Sequence, residues 1–159
     1  MIVVSNTTPL HYLILIDRVD VLGELFGRIV IPRAAYIELT RERAPGKVRT
    51  WLIDRPYWID VQEIEEIDPA MKAGAGEREA IALAERLQAD LLLLDDRIAR
   101  RTAKERGIIV TGTLGVLEVA ARRGMTRLPD AIALLRRTNF HASESLLQDF
   151  LERNVGYEP

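Results

Sequence analysis

The sequence predicts an α/β protein: a three-layer α/β/α sandwich with a mainly parallel central sheet. Three observations carry that prediction. Short runs of apolar residues recur along the chain, too brief for helices and apolar at every position. Helical stretches separate them, and strands buried on both faces between helices are the mark of a parallel sheet. A small cluster of polar residues follows most of these runs, where open α/β sheets bind their ligands.

The elements follow in order. Ile2-Val3-Val4 is a β-branched strand. Thr8 and Pro9 make an N-cap and first helical residue, and Leu10, Leu13, Ile14 and Ile16 follow at mostly helical spacing. Arg28-Ile29-Val30-Ile31 is a second strand, and Pro32 opens a helix through about Arg43 that Ala44-Pro45-Gly46 breaks. Lys47 to Asp54 reads as a short helix and Trp58 to Ile64 as an edge strand. Ala73-Gly74-Ala75-Gly76 leads into a helix at about Glu77–Gln88. Leu91 to Leu94 is an apolar strand ended by Asp95-Asp96, and a basic helix then runs to Arg106 with Gly107 at its C-terminus. Ile108-Ile109-Val110 is the last strand, followed after Thr111-Gly112-Thr113 by a helix to about Arg123. Two further helices are expected at Pro129–Thr138 and Ser143–Arg153.

The chain of 159 residues reads as a single domain over 1–159, without a repeat or linker. It has no cysteine, which excludes a disulfide scaffold, a thiolate metal site and a cysteine nucleophile. The net charge is -2, so a nucleic-acid partner has to be met by a local basic patch. No apolar run approaches the roughly 20 residues that span a bilayer, and no targeting segment is visible; a cytoplasmic protein without a membrane partner is expected.

The polar residues beyond the strands form a consistent set. Asn6 follows the first strand, Asp95 and Asp96 the fourth, and Thr113 the fifth. Glu38 lies in the helix after the second strand, and Glu77 opens the helix that also carries Glu79. Carboxylates crowded together repel unless a cation sits among them. With no cysteine and only two histidines, hard oxygen ligands favour Mg²⁺ or Mn²⁺. Such an ion suits phosphodiester hydrolysis.

The ordered pieces Val4-Ser5-Asn6-Thr7-Thr8-Pro9-Leu10, Ile31-Pro32 with Tyr36-Ile37-Glu38-Leu39, Gly76-Glu77-Arg78-Glu79-Ala80-Ile81, Leu93-Leu94-Asp95-Asp96-Arg97 and Gly112-Thr113-Leu114-Gly115 resemble the PIN domain, the fold of VapC-type toxin ribonucleases. The resemblance covers about residues 2–123 and leaves C-terminal helices over 125–159. It implies a Mg²⁺- or Mn²⁺-dependent endoribonuclease on single-stranded RNA, leaving a 5′-phosphate and a 3′-hydroxyl. It also implies a toxin paired with a small antitoxin protein, and a homodimer. The family's four acidic positions fall on Asn6, Glu38, Glu77 and Asp95, with Glu38, Glu77 and Asp95 catalytic and all four holding metal. Glu79 and Asp96 are alternates for Glu77 and Asp95, and Thr113 is the supporting hydroxyl. Asn6 departs from the pattern: its amide oxygen can ligate a hard cation but brings no charge. That opens an alternative, a catalytically weakened module that binds nucleic acid or a partner.

Local readings stand beside these. Asn6 could satisfy backbone groups at a turn, and Asp95-Asp96 and Thr113 could be helix caps. Glu38 could be a solvated helix face, and Glu77 and Glu79 suit a helix N-terminus whatever they do. Arg97, Arg100 and Arg101 are the RNA-contact candidates; the other reading pairs the helix's arginines with Asp96 and Glu105. Tyr12, Trp51, Tyr57 and Trp58 read as core or interface before base-stacking rings, and His11 and His141 are assigned no catalytic role. The apolar helix at Leu10–Ile16 carries more apolar surface than one core needs, which suits a dimer or antitoxin groove.

Overall fold

The computed structural model describes residues 1–157. Five strands form one sheet in the order β3-β2-β1-β4-β5: β1 (Val3–Ser5), β2 (Ile29–Pro32), β3 (Ile59–Gln62), β4 (Leu91–Leu93) and β5 (Val110–Thr111). Every pairing is parallel; Val3 faces Ile29 on one side and Leu91 on the other. The sheet alternates its apolar side chains between two cores. Val3, Ile29, Ile31, Ile59 and Leu93 join one cluster. Val4, Val30, Leu92 and Leu94 join the other. That alternation follows from the two-residue period of a strand.

The two cores are covered unequally. α5 (Ala75–Leu87) and α6 (Arg97–Glu105) cover the second. The first lies under α1 (Thr7–Leu15), α2 (Asp20–Phe26), α3 (Arg33–Thr40), α4 (Gly46–Ile53), α7 (Thr113–Arg122), α8 (Leu128–Arg136) and α9 (Glu144–Arg153). The chain winds outward from β1 to β3, then returns to lay β4 on the opposite side of β1. The topological switch point therefore falls between β1 and β4, and the crevice outside the carboxyl ends of those two strands is where such sheets take ligands. The flavodoxin-like order of receiver domains, with one strand beyond β1 rather than two, is different.

Several expectations need correction. Asn6, not Thr8, is the N-cap of α1, and Pro9 sits inside the first turn, where no intrahelical donor is lost. α2 was not expected; Asp20 in its first turn and Gly27 beyond its end, at φ +77, were its signals. α3 stops at Thr40 rather than Arg43. β5 is two residues long and begins at Val110, so Ile109 stands outside it and 68% exposed. The apolar residues of α1 are not surplus: Leu10, Leu13, Ile14 and Ile16 are all buried within this chain, where α3, α4 and α7 pack on the helix. Those four residues belong to this chain's own core.

Candidate active site at the switch point

β1 ends at Ser5, and Asn6 turns the chain into α1 while its backbone N–H donates to the Leu93 carbonyl at 3.0 Å. That bond ties the start of α1 to the end of β4. An asparagine at an N-cap normally accepts from the second or third helical N–H. Asn6 makes no such bond. It is 4% exposed, and its Oδ1 has no hydrogen-bond partner. Leaving a buried amide oxygen unpaired costs about 1–3 kcal/mol. Backbone capping therefore does not explain Asn6, whose place is directly beyond the end of β1 at the switch point.

Asp95 lies two residues beyond Leu93, across the crevice. Its Oδ1 accepts from the Thr113 N–H at 2.7 Å and its Oδ2 from the Thr113 hydroxyl at 2.6 Å. Thr113 is the first residue of α7, so its N–H is one of the four that a helix start leaves unpaired. Asp95 thus caps α7 from another strand, and the helix dipole favours its negative charge. Burial pushes the Asp95 carboxyl above its ordinary range, against the bonds from Thr113 and the Arg100 guanidinium. Each carboxylate oxygen keeps a second lone pair for a ligand. Gly112 makes the approach possible: a Cβ there would lie 2.5 Å from Asp95 Oδ1 and 3.1 Å from Arg100 Nη1.

Glu38 comes from α3, and its Oε2 accepts from the Thr7 hydroxyl at 3.0 Å. Arg41 stands 3.9 Å from the other oxygen. Thr7 is bonded to Glu38 at the start of α1, and Asp95 to Thr113 at the start of α7 with Arg100 beside Gly112. Glu77 opens α5, whose start lies over the same sheet edge because a crossover helix runs antiparallel to its strands. Its carboxylate folds back onto Gly74, the N-cap of its own helix. Among the described residues, no three His, Asp or Glu side chains are grouped to hold a metal ion. Glu38, Glu77 and Asp95 do not close on a common point.

The other candidates sort by their contacts. Asp96 caps α6, accepting from the Ala99 N–H at 3.4 Å. Glu79 is half-buried in the first turns of α5. Arg100 is half-buried beside Gly112, Arg97 is exposed at the start of α6, and Arg101 pairs with Glu105 at 3.3 Å. Trp51 and Trp58 pack together with ring centroids 5.7 Å apart, and Tyr57 is 97% exposed. From the sequence His11 is assigned no catalytic role, and Thr7 stands only within the first-strand motif. Burial lowers the His11 pKa, and Glu38 opposes that shift, so the imidazole lies within the field of the Glu38 carboxylate. Thr7 had a signal: a hydroxyl one residue beyond Asn6 at a helix start. His11 had none without the fold.

An open, all-parallel α/β sheet with acidic side chains at its switch point defines the class of protein. The chain belongs to the DUF3368 family of PIN domains, whose model matches residues 2–155. The match takes in α8 and α9, which the resemblance read from residues 2–123 leaves out. PIN domains are generally nucleases that use divalent metal ions and bind nucleic acid. A PilT N-terminus domain protein from the hyperthermophilic archaeon Sulfolobus solfataricus has a similar fold, with a TM-score of 0.55 at 19% identity. That similarity covers 89% of this chain and 100% of the archaeal one. No curated protein matches the chain. Among the described residues, no helix is long and apolar enough to cross a membrane.

The residues present fit a divalent ion held by few protein groups. Mg²⁺ keeps several waters and is commonly held by one or two carboxylates. The unpaired Asn6 Oδ1 and the spare lone pairs of Asp95 are oxygen donors of that kind.

Proposed function

We propose that this protein is a Mg²⁺- or Mn²⁺-dependent endoribonuclease acting on single-stranded RNA. The observation that carries the reading is the buried, unpaired Oδ1 of Asn6 across the switch-point crevice from Asp95. A bound divalent ion would supply an activated water and neutralise charge on the scissile phosphate. Asn6 and Asp95 would hold it, and Glu38 and Glu77 would act on it through water. Asp95 is oriented by Thr113, and Glu38 by Thr7. Arg100 supplies the positive charge nearest Asp95 for an incoming phosphate, with Arg97 and Arg101 on the same helix extending it.

A second reading has its own support. The absence, among the described residues, of a three-carboxylate group and the missing charge at Asn6 favour a module that binds RNA without cutting it. Cleavage of one structured and one unstructured RNA, with Mn²⁺ and with EDTA, separates the two. Metal-dependent cutting of the unstructured RNA that falls in Glu38→Gln supports the enzyme. Binding without turnover in every condition supports the module.

The toxin role, a small antitoxin and a homodimer extend the enzyme reading, and a cytoplasmic location goes with them. Growth arrest on expression, relieved by a small protein encoded beside the gene, tests the toxin role. The mass of the purified protein in solution tests the dimer.

A further inference from the structure

Three aromatic side chains lie in a row, and two of them feel the candidate acids: the Glu38 carboxylate acts on His11 and the Asp95 carboxylate on Tyr12. His11 and Tyr12 meet edge to face with centroids 4.8 Å apart and planes at 75°. Tyr12 meets Phe140 in the same way, at 5.0 Å and 82°. The Tyr12 hydroxyl donates to Asn139 Oδ1 at 2.9 Å, so ring and loop are fixed together. His11 is one helical turn beyond Thr7 on α1 and shares its face, and Thr7 holds Glu38. At the other end of the row, the segment between α8 and α9 brings Phe140 to Tyr12. All three rings remain partly exposed. Tyr12 and Phe140 pack against the core on one side, and the part of each ring left exposed is what a flat partner can meet. A row of rings beside phosphate-cutting groups is the arrangement that grips unpaired bases.

We propose that His11, Tyr12 and Phe140 form a stacking platform for successive bases of a single-stranded RNA, holding the strand so that its backbone crosses the Asn6–Asp95 crevice. The proposal rests on the reading of the site as one for single-stranded RNA. It names the groups that select an unpaired strand, because bases in a duplex are not free to stack on side chains. Residues 138–142 become one wall of the site, although they lie far along the chain from β1 and β4.

The test is binding of the full chain to a fluorescent uridine-rich 12-mer in EDTA, where no metal-dependent cutting occurs. His11→Ala and Phe140→Leu are each expected to weaken binding about five-fold or more, with the salt dependence unchanged because no phosphate contact is lost. Tyr57→Ala, a fully exposed ring just before β3 at the amino ends of the strands, is expected to bind as the wild type does. With abasic units in the oligomer, His11→Ala and wild type are expected to bind alike, because the ring has lost its partner. Should Phe140→Leu fail to fold, His11→Ala decides alone. Equal binding of the intact 12-mer by wild type and His11→Ala overturns the platform and leaves the nuclease reading intact. Wild-type binding without metal-dependent cutting, with His11→Ala weakened, supports the platform and overturns the nuclease. A wild-type chain that binds no single strand overturns both.

Discussion

Asp95 and Glu38 serve one crevice on different terms. Asp95 is half-buried, with each oxygen bonded to Thr113 and Gly112 packed against it. Glu38 is an exposed helix residue held by a single hydroxyl. One acid is built into the scaffold and the other is presented by it. The difference teaches that a candidate catalytic position and a structural position can coincide at the end of a strand. Loss of function at Asp95 therefore says nothing by itself about chemistry.

The largest expected effect separates these roles. Asp95→Ala strands the Thr113 N–H and hydroxyl, and Thr113 is 0% exposed. Each stranded buried group costs about 1–3 kcal/mol, so the urea midpoint should fall clearly as cleavage disappears. Glu38→Gln should lower cleavage while leaving stability within about 0.5 kcal/mol of wild type, as exposed positions do. Equal stability losses in the two variants would break the comparison.

Gly112→Ala probes the same anchor without touching a carboxylate. Gly112 has φ -108, so an alanine is not strained by the backbone. The added methyl meets Asp95 Oδ1, which cannot swing aside without losing Thr113. Overpacking of this kind costs about 1–3 kcal/mol. Both a lowered melting temperature and weaker cleavage are expected.

Asn6→Asp sharpens the comparison from the other side of the crevice. In EDTA a second buried carboxylate near Asp95 should destabilise the protein, because like charges cannot both ionise cheaply there. Mn²⁺ should restore and then raise the stability, since a ligand that binds only the folded state stabilises it. The expected gain in Mn²⁺ affinity is on the order of tenfold, read from melting temperature against metal concentration. A melting curve indifferent to Mn²⁺ in both proteins would remove Asn6 from the site.

Much of the fold was legible because the strands are uniformly apolar and the helices begin and end on local signals. Ser143 caps α9, and Gly107 and Gly124 take positive φ beyond α6 and α7, all from chemistry within a few residues. The ends of β1 and β4 followed from the polar residues beyond them, and so did Asn6 and Asp95 as candidates. The roles of those residues were not legible, because their partners come from elsewhere in the chain. Asp95 and Asp96 look alike in sequence; only the fold gives one to Thr113 of α7 and the other to its own helix α6. The contact of Tyr12 with Phe140 spans 128 residues and leaves no periodic trace. α1 was misjudged because its apolar residues were weighed without α3, α4 and α7 around them.

An acid outside the crevice supplies the smallest test. Asp60 on β3 accepts from Gln62 at 3.0 Å and from Arg28 at 2.6 Å. Gln62 above all, then Arg28, holds its carboxyl below the ordinary range, while burial at Asp95 pushes the other way. A carboxyl lowered by folding releases its proton more readily in the folded chain than in the unfolded one. Its stabilisation is present above the unfolded pKa and is lost as pH falls through the folded one. Asp60→Asn should therefore flatten the acid limb of the stability curve and change little near neutrality beyond the loss of the pair. The Arg28 side chain is 66% exposed, which limits the pair to under about 1 kcal/mol, and added salt should shrink it further. Chemical denaturation from pH 3 to pH 7 at low and high salt measures it. A steepened acid limb in Asp60→Asn would mean that the strand-edge acids behave as the half-buried Asp95 does, and the contrast between built-in and presented carboxylates would lose its electrostatic basis.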